Sequence, residues 1–239
     1  MDSEVPADGT DTELGEARSG REFADFIYMN TDACSPVAPG EEATYLARSK
    51  VDKRNWNPFL KVPSSDDTAN RPTMIKNGYI FDFAFYLSRF MMTAPDAVVI
   101  NLHTNDISQQ APTVSLAQIQ EGLRVMVSQM RRVSATMKIV LVYNAIGRFA
   151  TEERWEGEHR AGLQAMLKFV RDSADPYLVL APVYCTVSRD AGFKYTSVLD
   201  DYSGGYNETL SDGIHYAENG LKEHGEVVAQ FIAGIMTGA

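Results

Sequence analysis

"DAVVINLHTND" occupies residues 96–106, and its reading decides the fold. Residues 96–102 form an apolar, β-branched run of strand length. Such a run, without polar alternation, suits a strand covered on both faces, as in a parallel sheet. "LHTND" then leaves that strand with polar side chains. The same kind of run recurs as "KIVLVYN" (138–144) and "YLVLAPV" (177–183).

Between and after these runs lie amphipathic segments. Residues 115–135 place apolar side chains at 116, 119, 123, 126, 130 and 133, one stripe of a helix, with Ser115 and Gln118 spaced as a capping box. Residues 152–172 read as a second helix with Trp155, Leu163, Met166, Leu167 and Val170 inward. Residues 217–236 close the chain as a third, with Val228, Phe231, Ile232 and Ile235 on one face. Strands alternating with amphipathic helices imply parallel βαβ units with right-handed crossovers. The expected class is α/β, with ligands at the carboxyl ends of the strands.

Upstream, "FDFAFYLSRFM" (81–91) reads as a buried helix and "REFADFIYM" (21–29) as a short one. Residues 30–78 read as irregular, with an aromatic knot at "NWNPFL"; a stretch of that length without clear elements is often functional. Residues 1–16 hold six acidic residues and no basic ones, and read as a mobile acidic N-terminus. Residues 17–239 are then one domain.

Of 239 residues, 44% are hydrophobic and 23% charged, which suits a globular chain rather than a disordered one. The net charge of −10, without a Lys/Arg cluster, argues against nucleic acid as a partner. No apolar run is long enough to span a membrane, and no secretory signal is visible at the N-terminus. Cys34 and Cys185 form neither a disulfide framework nor a zinc cluster; one bridge and two free thiols are both compatible with the spacing.

Three short stretches could carry chemistry. Asn105 and Asp106 follow the first strand, where a side-chain amide can donate to an oxyanion or simply make a polar turn. Asp212 and His215 in "SDGIH" precede the last helix. A carboxylate three residues back can fix the imidazole tautomer for base catalysis, or it can cap the turn while the histidine lies exposed. Gly20 in "EARSGRE" lets a backbone N–H approach a substrate closely, or is a loop glycine. His103 adjoins the strand-end loop, whereas His159 and His224 lie within helices and read as structural or solvated. No spacing resembles a metal site, and no Gly-rich phosphate loop supports a nucleotide binder.

Taken in order, the glycine block at Gly20, "HTND" at 103–106 and "DGIH" at 212–215 resemble the SGNH (GDSL-type) hydrolases, with their G-x-N-D and D-x-x-H blocks. The resemblance runs from Gly20 to the C-terminus. "EARSGRE", "NPF", "FDFAFY" and "VVINLHTND" also look like a subgroup found in phage and gut-bacterial proteins, whose enzymes often deacetylate carbohydrates.

The resemblance implies a three-layer α/β/α sandwich around a parallel, flavodoxin-like sheet. It implies a serine ester hydrolase, with carbohydrate O-acetyl esters as substrates and an acyl-enzyme intermediate. His215 is then the general base and Asp212 its orienting partner; Asn105 and the Gly20 N–H belong to the oxyanion hole. His103 stands where the family has a glycine, and with Trp56 and Asn57 is expected to line the substrate site. For Trp56, Asn57 and Phe59 a packing cluster is the alternative reading. No metal or organic cofactor is implied, and the subgroup suggests an extracellular or virion-associated setting.

The family carries its serine in a G-D-S block after a first strand. Here "MDS" offers Ser3, only 17 residues before Gly20, and no strand-like run precedes it. The N-terminal strands are therefore expected to be missing, through truncation or a misassigned start. The rival expectation is a non-catalytic SGNH-like binding or structural module.

Overall fold

The computed structural model describes residues 21–31, 34–48, 53, 55–109, 112–144, 155–187, 192–199 and 206–238, apart from the side chains of 105, 108, 109, 112–115, 157, 158, 194–199 and 206–215. Gly20, Ser3 and the acidic segment 1–16 lie outside these residues.

In chain order the helices are α1 (Phe23–Phe26), α2 (Glu42–Leu46), α3 (Ser65–Asn70), α4 (Phe83–Arg89), α5 (Thr104–Gln109), α6 (Pro112–Val133), α7 (Arg160–Ser173) and α8 (Glu218–Thr237). The strands are β1 (Ser35–Pro36), β2 (Trp56–Asn57), β3 (Leu60–Lys61), β4 (Ile75–Lys76), β5 (Tyr79–Phe81), β6 (Ala97–Ile100), β7 (Lys138–Val142), β8 (Leu178–Ala181), β9 (Phe193–Leu199) and β10 (Tyr206–Tyr216). Two compact units result, Met1–Pro95 with Ala117–Thr136, and Asp96–Leu116 with Met137–Ala239.

The first unit corrects the expectation of an irregular 30–78. This stretch holds two-residue strands, two of which pair antiparallel with β5 in the order β3-β5-β4. The expected helix at 81–91 begins later. Phe81 ends β5, and Asp82 caps α4 by accepting from the Phe85 N–H at 2.9 Å, the standard role of an aspartate ahead of a helix. Phe59 stacks on Phe81 at 4.9 Å and on Tyr86 at 4.1 Å. Asn57 is fully buried; its amide donates to the Phe26 carbonyl at 2.8 Å and accepts from the Phe59 N–H at 3.1 Å. Both ends of that amide are engaged by backbone groups of the first unit.

Helix α6 starts at Pro112, a turn before the expected cap at Ser115. Proline's fixed φ and missing N–H cost nothing in a first helical turn. The apolar stripe stands: Ile119, Leu123, Met126 and Met130 are buried.

The second unit carries the parallel sheet, in the order β6-β7-β8, with Ala97 beside Lys138 and Val142 beside Ala181. Side chains alternate between the faces of a strand. Val140, Val142 and Ala181 form a core with Val183 and Phe193, against which Val228, Phe231, Ile232 and Ile235 of α8 rest. Tyr143, of opposite parity, meets α7: a Cβ on Gly162 would lie 2.9 Å from its hydroxyl. Helices thus cover both faces, and the class is α/β, with the layering of an α/β/α sandwich. Leu167, expected inward, is 48% exposed, because α7 turns Leu163 and Met166 to the core instead.

β9 and β10 pair antiparallel, but the register breaks in the D-x-x-H stretch: Asp212 lies opposite Lys194 and Tyr216 opposite Phe193. Four residues of one strand thus span a single step of the other. The loop expected around Asp212 and His215 is an irregular bulge within a strand.

Cys34, buried, and Cys185, exposed, are not bridged to each other; the Cys34 thiol donates to the Asp25 carbonyl at 3.3 Å. Among the described residues no helix is long and apolar enough to cross a membrane, and no group of three or more His, Cys, Asp or Glu could hold a metal ion.

Candidate active site

The carboxyl ends of β6, β7 and β8 gather the polar and aromatic side chains of the second unit. Asn101 and His103 follow β6, and α5 begins at Thr104. Asn105 therefore stands in the first turn of a helix rather than on an open loop; its side chain lies outside the described atoms. The backbone kinks sharply at His103, where φ is +96°. Glycine adopts that conformation freely and other residues pay for it in strain.

The His103 side chain turns inward and is fully buried. Its Nδ1–H donates to the carbonyl of Leu102, so Nε2 carries the lone pair, and that atom has no hydrogen-bond partner among the described residues. Its ring lies on Tyr143 at 4.1 Å and 16°. His159 meets the other side of Tyr143 edge-on, at 4.9 Å and 87°. Burial holds both imidazoles neutral, with His103 brought down to about 3 and His159 to about 4. Burial likewise pushes the Tyr143 hydroxyl far up, and it donates to the His159 carbonyl. These groups are held uncharged.

A second cluster is closer to solvent. Asn144, just after β7, donates from Nδ2 to Asn101 Oδ1 at 2.6 Å and to Thr104 Oγ1 at 3.3 Å. That fixes the Asn101 amide, whose Nδ2 lies 3.4 Å from His224 Nε2 on α8. Since an amide nitrogen only donates, the His224 proton sits on Nδ1. Burial lowers the His224 pKa. Tyr216 lies against His224 at 5.5 Å. The residue immediately after His215 is thus linked through His224 to the end of β6.

Two aromatic rings complete this edge. Trp155, in a π-helical turn before α7, and Tyr184, in the 3₁₀ turn after β8, lie 5.9 Å apart and 25° from parallel. Trp155 also rests on His159 at 5.0 Å.

Of the residues expected from sequence, His103 lies within this edge, fully buried, and the backbone of Asn105 adjoins it. Asp212 and His215 are on β10 with side chains outside the described atoms. Trp56 and Asn57 belong to the other unit, where the Arg48 guanidinium covers the Trp56 ring at 4.4 Å. Sequence reasoning missed Asn101, Asn144, Tyr184 and His224. The signal for the asparagines was their position, each within two residues of a strand's carboxyl end.

The arrangement defines an α/β chain with a candidate ligand site at the sheet's carboxyl edge. No family model and no curated protein matches the chain. It is similar to the crystal structure of a possible lipase from Chitinophaga pinensis DSM 2588, with a TM-score of 0.40 and 15% identity over 60% of this chain and 75% of that one. At that level the function is read from this chain's own residues.

Proposed function

We propose that the chain is a serine ester hydrolase of the SGNH type that removes acetyl groups from a carbohydrate. In this reading a serine hydroxyl, for which Ser3 is a weak candidate, adds to the ester carbonyl as His215 takes its proton, and Asp212 holds the imidazole in the needed tautomer. Asn105 and the Gly20 N–H stabilise the oxyanion. Collapse expels the sugar alcohol, protonated by His215, and leaves an acyl-serine. Water, deprotonated by the same histidine, then releases acetate. The observation that supports this best is the link Tyr216–His224–Asn101: the side chain that follows His215 touches His224, whose ring meets the Asn101 amide at the strand end that leads into Asn105.

Hydrolysis of p-nitrophenyl acetate tests the reading. Turnover that disappears in His215→Ala and in Ser3→Ala supports it. Turnover that survives His215→Ala, or none at all in the native chain, refutes it; retained carbohydrate binding without turnover marks a non-catalytic binding module.

A further inference from the structure

Trp155 and Tyr184 reach the carboxyl edge of the sheet from two separate connections, and each is only half-buried. Both are backed by other rings: Tyr184 by Tyr143 at 5.8 Å and 84°, Trp155 by His159. Such backing fixes their orientation. Asn144 directly follows Tyr143 and holds Asn101, whose side chain is exposed. The Tyr184 N–H donates to the Tyr143 carbonyl at 2.8 Å, which ties the ring pair to the strand end that Asn144 follows; half-buried rings and a fixed, exposed amide at one strand end suit a pyranose, whose C–H face lies on rings while its hydroxyls meet donors and acceptors. Polyanions fit less well, since the chain carries a net charge of −10 and the cation–ring pairs among the described residues involve Trp56, Tyr45, Phe85 and Tyr177 instead.

We propose that Trp155 and Tyr184, with Asn101 and Asn144 at the same carboxyl edge of the sheet, form a subsite for a neutral sugar ring. The subsite deepens the carbohydrate-ester reading and rests on it for the substrate class.

The sequence holds two tryptophans, so Trp56→Phe leaves Trp155 as the reporter. This variant is titrated with xylohexaose, cellohexaose and the hexamer of N-acetylglucosamine. A saturable change in Trp155 emission with one of them is expected. Tyr184→Ala in the same background weakens it at least about ten-fold, a loss of roughly one ring's stacking, whereas Tyr184→Phe retains it. A flat titration against all three sugars overturns the subsite, as does a response that Tyr184→Ala leaves intact with an unchanged circular dichroism spectrum. Hydrolysis of p-nitrophenyl acetate by the native chain separates the two readings. Sugar binding without hydrolysis keeps the subsite and sinks the esterase; hydrolysis without a sugar response does the reverse.

Discussion

The His103 ring lies flat on Tyr143, 4.1 Å away and 16° from parallel, in a fully buried position. Its folded pKa of about 3, and about 4 for His159 on the other side of Tyr143, lie below the unfolded value near 6.5. Between those limits the unfolded chain binds more protons than the folded one. Stability is therefore complete above about pH 6.5 and falls as the pH drops. From pH 7 to 5.5 each histidine costs about 1 kcal/mol of folding free energy. Urea unfolding at the two pH values measures this, and His103→Gly should remove about 1 kcal/mol of the difference, leaving the share of His159 and of His224, whose pKa burial also lowers. Equal stability at both pH values would contradict it.

The second prediction concerns Gly220, in the first turn of α8. A Cβ there would lie 2.3 Å from the Gly192 carbonyl oxygen and 2.8 Å from its Cα. Both are backbone atoms, and the Gly192 carbonyl already accepts from the Ala217 N–H at 2.8 Å, so neither side yields easily. Gly220→Ala should cost about 1–3 kcal/mol, as overpacking does. Gly225 on the same helix has nothing within 4 Å of its Cβ position. Gly225→Ala should therefore stabilise by about 0.5–1 kcal/mol through helix propensity. Thermal melts that failed to move in opposite directions would defeat this account.

What was legible in the sequence follows from physical range. β6, β7 and β8 are continuous apolar runs, so local composition marks them. The α6 and α8 stripes repeat often enough to show their period. The short strands of 30–78 have only two residues each, too few for any period, and they exist through tertiary pairing, β1 with β2 and both β3 and β4 with β5. Ser115 resembled a cap because capping chemistry is local, yet Pro112 supplied an earlier start. The Asn101–Asn144 bond joins residues 43 apart. Parallel pairing of β6 with β7 creates that bond, and no local pattern encodes it.

Arg89 gives a third prediction, in the first unit. Its side chain is almost fully buried; the guanidinium donates to the carbonyls of Val37 and Ala38, each at 2.7 Å, and to Glu42 at 2.8 Å. Arg89→Met strands both carbonyls, at a cost of about 2–3 kcal/mol. Arg89→Lys should recover only part of that, because an ammonium lacks the planar fork that reaches three acceptors at once. The melting temperatures should rank native, then lysine, then methionine; a lysine variant equal to the native chain would show that charge alone suffices.

The fourth prediction separates two amides at one strand end. Asn105 is the oxyanion donor in the proposed mechanism, and Asn101 is the amide that Asn144 fixes toward the sugar. An oxyanion donor acts on the transition state only, so Asn105→Ala should lower kcat about 10²–10³-fold with little change in KM. A sugar-binding amide acts on ground and transition states alike, so Asn101→Ala should raise KM for an acetylated oligosaccharide and leave kcat near its native value. Asn144→Leu should reproduce the KM effect by releasing the Asn101 amide from its anchor. Steady-state kinetics on acetylated xylo-oligosaccharide makes the distinction. If Asn101→Ala cuts kcat while Asn105→Ala spares it, the donor is Asn101, and the G-x-N-D resemblance has assigned the oxyanion role to the wrong asparagine.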